Sequence, residues 1–300
     1  MSVLAKVVER VLGRPLMNYL PHAAFGLNQW AYRKRHSARD LATLCTCRWI
    51  LSICSGQKVG IYLSDISGAF DRVFKQFLIA KLITTGILDL YVNFLSSYLE
   101  PRVGKVTVEG ALSSAFELAD TVFQGTVLGP TLWNTFFGDV AATVTSSGGE
   151  ETIFADDLNV HHFVPRETST ASLMHMLRDS QQEIHAWGRR NRVLFDPSKE
   201  HFCVIHSSDG EGEPFKLLGC LFDPCLNMHA QIDQVLNRVR PRVVSLLRTR
   251  NKYSVESMMH QYKSHIWSVM EYSNGCIAHA TGNQLERSIL CRGDSSMVYR

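Results

Sequence analysis

Residues 59–71 read Val-Gly-Ile-Tyr-Leu-Ser-Asp-Ile-Ser-Gly-Ala-Phe-Asp, an apolar run that ends at Asp65. An apolar run of this length predicts a short buried strand, and the residues after it predict a turn into a helix. A second apolar segment, residues 152–160, is interrupted by the acidic pair Asp156-Asp157. That pattern predicts two short strands joined by an acidic turn. The sequence therefore predicts carboxylates at the ends of neighbouring strands.

Carboxylates held side by side near an apolar core repel each other, so at least one would normally be protonated. A divalent cation removes this conflict, because Mg²⁺ binds oxygen ligands from one or two carboxylates and from phosphates. Two such ions about 3.5–4 Å apart can stabilise the attacking and leaving oxygens of a phosphoryl displacement. An Asp-Asp pair alone is more often a surface or capping feature. Together with Asp65 and the glycine-bearing loop Gln124–Pro130, the pair favours a metal site.

The composition is that of an ordinary globular protein, with 45% hydrophobic and 20% charged residues. It excludes a disordered chain and a collagen-like repeat, and no apolar run is long enough to span a membrane. The net charge is only +3, but residues 231–263 carry seven basic and two acidic side chains. Basic segments around an acidic centre suit a metal-dependent enzyme that acts on a polyanion. Solvated helix faces remain the alternative.

The eight cysteines include no C-x-x-C pair. We expect buried free thiols in a reducing compartment, with no structural zinc and no disulfides. His161 and His162 adjoin the acidic pair, but adjacent residues of a strand point to opposite faces, which argues against a paired metal role.

The remaining pattern predicts a mixed α+β chain. We expect a first helix that stops at Pro15, helical segments over 73–99 with a break at Gly86, and a hairpin arm that turns at Gly110. The other expected elements are helices over 38–54, 168–190 and 230–270, one buried helix over 131–144, and short strands over 193–223.

Six segments, which follow one another along the chain as they do in the family, resemble the reverse transcriptase domain of non-LTR (LINE-type) retrotransposons. Asp65–Asp71 resembles the D…AFD motif of the family, Gln124–Leu132 resembles QG…LGP.L, and Phe154–Asp157 resembles F/YADD. The other three resemblances are Gln29–Asp40 with a fingers pattern, Trp187–Lys199 with a W…N…F.P.K segment, and Phe215–Gly219 with the primer-grip LLG.

The resemblance implies a right-hand polymerase architecture, with partial fingers, a palm built on an antiparallel sheet and a helical thumb. We expect partial fingers at 1–57, a palm with interleaved fingers elements at 58–223, and a basic, incomplete thumb at 224–300. The chain begins in what corresponds to the middle of the fingers, so we expect an N-terminally truncated domain.

The resemblance also implies the site residues. Asp65, Asp156 and Asp157 would be the catalytic metal ligands, for two Mg²⁺ ions that Mn²⁺ can replace. Lys199 would protonate the pyrophosphate leaving group, although a solvated loop lysine is the alternative. The nucleotide-binding residues would be Arg33, Phe70, Gln124 and Gly125, and the primer grip would be Leu218 and Gly219. Phe70 would exclude a 2′-hydroxyl, with core packing as its alternative role; Arg33 would contact the triphosphate, or else be a surface arginine.

We therefore expect an RNA-directed DNA polymerase that adds dNTPs to a primer 3′-hydroxyl on an RNA template. The partners would be an RNA template, a DNA primer or an RNA–DNA hybrid, and dNTPs, with no membrane. We expect an intracellular protein that acts in the nucleus, as the family implies. Two alternatives remain: a polymerase remnant that binds RNA or RNA–DNA duplex without extending it, and a maturase-like or host-adopted RNA scaffold.

Overall fold

The computed structural model describes residues 3–118 and 122–282. Its helices are α1 (Val3–Ala23), α2 (Ala38–Cys54), α3 (Lys75–Thr84), α4 (Asp89–Tyr98), α5 (Gly129–Phe137), α6 (Val140–Ser146), α7 (Thr170–Asn191), α8 (His229–Arg248), α9 (Val255–Tyr262) and α10 (Ser268–Tyr272). Two 3₁₀ turns, Ala69–Arg72 and Arg250–Lys252, and one π-helical turn, Lys263–Trp267, complete the helical structure of these residues.

The main sheet has five strands in the order β6-β7-β1-β8-β9. These strands are β1 (Gln57–Ser64), β6 (Glu150–Phe154), β7 (Asp157–Pro165), β8 (His201–Ile205) and β9 (Glu211–Gly212). The antiparallel pairs β2 (Arg102–Gly104) with β5 (Phe116–Leu118), β3 (Thr107–Val108) with β4 (Ala111–Leu112), and β10 (Phe215–Leu217) with β11 (Cys220–Phe222) form three small sheets. The predicted strand before Asp65, the acidic hairpin and the turn at Gly110 are confirmed.

Helix α1 does not stop at Pro15, so that prediction is wrong; it continues through Pro15 and Pro21 to Ala23. A proline inside a helix removes a backbone hydrogen bond and costs about 3 kcal/mol. Burial of Leu16 and Leu20 beyond Pro15 offsets this cost, since both side chains are at most 2% exposed. Tertiary packing thus extends the helix past its local stop signal.

The buried segment 131–144 forms two helices, α5 and α6, instead of the single predicted helix. The break lies at Gly138, which has helical backbone angles. A Cβ atom on Gly138 would collide with the carbonyl oxygen of Ala24. The chain therefore has a glycine where another backbone segment passes against it. The predicted break at Gly86 is confirmed, and that residue has a φ of 75°.

The chain divides by its contacts into two compact units. The first unit comprises residues 1–36, 61–162 and 174–201, and the second comprises 37–60, 163–173 and 202–300. In the first unit, the rings of Trp133, Phe136 and Phe137 are fully buried. In the second, Trp49 packs edge-to-face on Phe222, with ring centroids 5.2 Å apart. The expected division at residues 57 and 223 stays a prediction.

The cysteines and the adjacent histidines differ in how far they are buried. Of the seven described cysteines, Cys45, Cys203, Cys220 and Cys276 are buried and the others are exposed; Cys291 lies outside the described residues. Both adjacent histidines are buried: His161 contacts Thr152 and His162 contacts Ser180. Within the described part of the chain, none of the helices is both long and apolar enough to cross a membrane.

Candidate active site

Asp65 follows the last residue of β1, and its main chain is held by the segment that carries Lys199. The carbonyl oxygen of Asp65 accepts from the amide of Asp196 at 3.0 Å, and Ile66 forms a β-bridge with Phe195. The Lys199 amide in turn donates to the Asp196 carbonyl at 3.0 Å. These contacts bring together two segments that are about 130 residues apart in sequence.

The side chains of these two segments are also in contact, through Lys199. The Lys199 ammonium donates to Asp65 Oδ2 at 2.5 Å and lies 3.9 Å from Asp196 Oδ2. The pKa of Lys199 is raised, chiefly by this bond to the Asp65 carboxylate. Lys199 is therefore a charged partner of the first predicted metal ligand, and it stays accessible to solvent.

Asp156 and Asp157 lie at the turn between β6 and β7. Phe154 pairs with Asp157, so the connecting loop has only two residues, Ala155 and Asp156. Ala155 has a φ of 61°, a conformation that costs energy for a residue with a Cβ atom. The tight turn places both carboxylates at one end of the hairpin.

The three carboxylates affect one another electrostatically. The pKa of Asp157 is raised to about 6, first by burial and then by the charges of Asp156 and Asp65, while the Lys199 charge opposes this rise. The pKa of Asp156 is also raised, first by burial and then by Asp65. The structure thus brings together the four predicted catalytic residues, and their negative charges are incompletely balanced by one ammonium group.

The donor set suits a hard divalent cation, because Mg²⁺ needs only one or two carboxylates and takes its other oxygens from water and phosphate. In residues 3–118 and 122–282, no cluster of three or more His, Cys, Asp or Glu side chains is already arranged to hold a metal ion. Asp65 Oδ2 accepts from Lys199, and the same oxygen is one that a cation would need. The chemistry of the side chains fits, and an ammonium group already contacts one of them.

Phe70 lies five residues after Asp65 in the 3₁₀ turn Ala69–Arg72. Its half-buried ring stacks on Trp133, with centroids 5.9 Å apart and an interplanar angle of 25°. The carbonyl oxygen of Phe70 accepts from the Val122 amide at 2.8 Å. Packing therefore fixes this ring, and its predicted role against a 2′-hydroxyl stays a prediction.

Gln124 and Gly125 lie on an exposed loop that precedes α5. Gly125 has a φ of 77°, and no atom lies within 4 Å of where its Cβ would be, so the backbone there is open to a ligand. Glu9 of α1, which sequence reasoning missed as a functional residue, holds the end of this loop. Its Oε2 accepts from the Val127 amide at 2.6 Å, although the side chain is buried.

The Arg33 guanidinium contacts main-chain carbonyl oxygens and an aromatic ring in this structure. Its guanidinium donates to the carbonyl oxygens of Pro21 at 2.8 Å and Gly26 at 2.6 Å, and it lies over the ring of Phe25. The contact with a triphosphate stays a prediction. Sequence reasoning assigned no role to the neighbouring Tyr32, whose pKa is raised first by burial and then by the charge of Asp156.

The predicted primer grip lies in the second unit. Leu218 and Gly219 form the two-residue turn between β10 and β11, with φ values of 48° and 86°. The Tyr272 hydroxyl donates to the carbonyl oxygen of Leu218 at 2.6 Å. The turn is therefore fixed from α10, and its predicted contact with a primer is untested.

Relatives of the chain are named as polymerases of mobile elements. A Drosophila melanogaster protein, "Probable RNA-directed DNA polymerase from transposon X-element", is 26% identical over 87% of the chain. The Drosophila melanogaster "RNA-directed DNA polymerase from mobile element jockey" is 31% identical over 69% of the chain. The chain spans 30% of the first relative and 24% of the second.

Solved structures show the same fold at low sequence identity. An apo telomerase from Candida tropicalis matches 92% of the chain with a TM-score of 0.55 and 11% identity, and the match covers 51% of that telomerase. A form truncated from its C-terminal domain matches 74% of the chain with a TM-score of 0.54 and 12% identity, over 44% of its own length.

The family described as "Reverse transcriptase (RNA-dependent DNA polymerase)" matches residues 1–222. This match covers Asp65, Asp156, Asp157 and Lys199, and it extends through the predicted primer grip. The chain belongs to the reverse transcriptase family and has its right-hand polymerase fold.

Proposed function

We propose that this chain is the polymerase part of an RNA-directed DNA polymerase of a non-LTR retroelement. It joins a dNTP to the 3′-hydroxyl of a primer on an RNA template. The observation that carries the proposal is the meeting of Asp65, Asp156 and Asp157 with Lys199 in the first unit. The names of the relatives support the reaction and the source element.

Reverse transcriptases use divalent metal ions, and for this chain we assign two Mg²⁺ ions, with Mn²⁺ as a substitute. Asp65, Asp156 and Asp157 would hold them through carboxylate oxygens. The bound ions would lower the energy of the attacking and leaving oxygens during phosphoryl transfer. The Lys199 ammonium, which contacts Asp65, would neutralise and protonate the departing pyrophosphate.

Other residues bind and orient the substrates. The exposed backbone at Gln124 and Gly125 gives the nucleotide and the template base room for close approach. Phe70 lies five residues after Asp65, and its ring is held by stacking on Trp133, which suits a side chain that would exclude a 2′-hydroxyl on the sugar. Leu218 and Gly219 hold the primer end, and α8, with four arginines between residues 238 and 248, contacts duplex phosphates.

Primer extension tests this function. Oligo-dT annealed to poly-rA is incubated with labelled dTTP and Mg²⁺ or Mn²⁺, and poly-dA replaces poly-rA in a parallel reaction. We expect extension on poly-rA by the parent and a loss of at least about 10³-fold in Asp156→Asn, since a metal ligand is removed. Asp179→Asn makes the same chemical change at an exposed position of α7, and this variant should extend the primer normally.

Two results would overturn the proposal. One is equal extension by the parent and Asp156→Asn, which would place the chemistry elsewhere. The other is no extension by the parent under either metal while it still binds the RNA–DNA hybrid, which would make the chain a duplex-binding module.

A further inference from the structure

The turn that carries the two carboxylates is conformationally strained at Ala155. A positive φ at the first position of a two-residue hairpin loop is normally taken by glycine, because a Cβ atom makes this conformation unfavourable. Such a conformation persists only where surrounding groups fix it. Ala155 is 8% exposed, so those groups are protein atoms.

Gln29 makes a two-point contact with this alanine. Its Oε1 accepts from the Ala155 amide at 3.0 Å, and its Nε2 donates to the Ala155 carbonyl oxygen at 3.3 Å. The Trp133 indole N–H donates to the same carbonyl at 3.0 Å. Both main-chain polar groups of the strained residue are therefore bonded to buried side chains of distant segments.

The glutamine is itself held in place. The Trp30 amide donates to the Ile153 carbonyl at 2.8 Å, and the Ile153 amide donates to the Asn28 carbonyl at 3.0 Å, so residues 28–30 run parallel beside β6. The Ala31 amide donates to Gln29 Oε1 at 3.0 Å. The side-chain amide is thus oriented from both sides, and its donor and acceptor ends are not interchangeable.

We propose that Gln29 is a positioning residue that fixes the main chain of Ala155 and thereby the directions of the Asp156 and Asp157 carboxylates. The inference rests on the proposed metal-dependent polymerase function. Because the loop has only two residues, rotation of the Ala155 peptide would move both carboxylates together. A methionine at position 29 fills similar space but has no N–H donor and only a weakly accepting sulfur, so it removes both amide hydrogen bonds to Ala155.

Metal binding and folding are measured separately in Gln29→Met. Mn²⁺ affinity is followed by electron paramagnetic resonance, stability by thermal unfolding, and protection of the Ala155 amide by hydrogen exchange. We expect Mn²⁺ affinity and kcat for primer extension to fall about 10–100-fold, the range seen when groups that orient ligands are lost. Gln182→Met, an exposed change on α7, is the matched control and should leave all three readouts unchanged.

The double variant Gln29→Met/Ala155→Gly separates positioning from stability and also serves if the single variant folds poorly. Glycine adopts a positive φ without strain, so thermal stability should recover, but the turn would remain free to rotate and Mn²⁺ affinity should stay low. Recovery of Mn²⁺ affinity together with stability would overturn the inference, as would normal Mn²⁺ binding by Gln29→Met. A parent that fails to extend a primer would instead overturn the proposed function.

Discussion

Glu9 lies in the middle of α1 with its carboxylate buried against the loop that precedes α5. Its Oε2 accepts from the amides of Val127 at 2.6 Å and Leu128 at 3.4 Å, and its Oε1 accepts from the Tyr98 hydroxyl at 3.1 Å. The side chain is 4% exposed. Glu9→Ala therefore leaves these donors without their acceptor in a place that water reaches poorly.

The size of the effect follows from the two shorter bonds. A hydrogen bond to a charged group contributes about 1.5–3 kcal/mol, so the bonds from Val127 and Tyr98 together contribute about 3–6 kcal/mol. Tyr98 is only partly buried, and its hydroxyl can turn towards water. We therefore expect Glu9→Ala to lower the free energy of unfolding by about 3 kcal/mol, near the lower end of this range. Glu9→Gln keeps one acceptor oxygen and should lose about 1–1.5 kcal/mol.

Urea unfolding measures both variants against Glu183→Ala, which makes the same change at an exposed position of α7. With a denaturant dependence of about 3 kcal/mol per M, Glu9→Ala should lower the unfolding midpoint by about 1 M. Glu9→Gln should lie between it and the parent. Equal midpoints for Glu9→Ala and Glu183→Ala would refute the account of the buried carboxylate.

Three further predictions concern stability of the first unit. Burial lowers the pKa of His162 below its ordinary 6.5. The contribution of neutral His162 to the free energy of unfolding is therefore complete above pH 6.5 and is lost as the pH falls further. Urea unfolding at pH 7.5 and 5.5 should show a smaller difference between the two pH values in His162→Asn than in the parent. Lys81 donates to Asp139 at 2.8 Å and to a main-chain carbonyl of α5. Lys81→Ala should therefore lower the free energy of unfolding, measured with urea, by about 2–3 kcal/mol. A decrease of less than about 0.5 kcal/mol would contradict this prediction. Gly138→Ala would press a Cβ atom against the Ala24 carbonyl and should cost about 3 kcal/mol in thermal unfolding, whereas an unchanged midpoint would show that the segments separate easily.

The strands that carry the carboxylates could be predicted because their signals are local. An apolar run of strand length ends at Asp65, and two such runs flank Asp156-Asp157, so the positions of the acids followed from periodicity and turn length. That Lys199 belongs to the same site as Asp65 was implied only by the family resemblance, and their direct contact was not predicted, because the two residues are 134 positions apart.

Other features depend on tertiary contacts that no local pattern encodes. The extension of α1 past Pro15 comes from burial of its later turns, and Glu9 looks in sequence like a charge in an apolar helix. Arg33 could be placed near a phosphate by resemblance, but the carbonyl oxygens that it contacts become close only after folding. The positive φ of Ala155 was equally hidden, since alanine gives no sign of such a conformation.

The proposed function requires that Asp65, Asp156 and Asp157 hold the divalent cations of a nucleotidyl transfer. The most direct measurement is anomalous X-ray scattering from a crystal of the chain grown with Mn²⁺, an RNA–DNA primer-template and a non-hydrolysable dNTP analogue. The account predicts two manganese peaks about 3.5–4 Å apart, bound by these carboxylates and by the analogue's phosphates. Manganese and nucleotide bound elsewhere, with the Asp65 carboxylate still bonded to Lys199, would contradict this assignment.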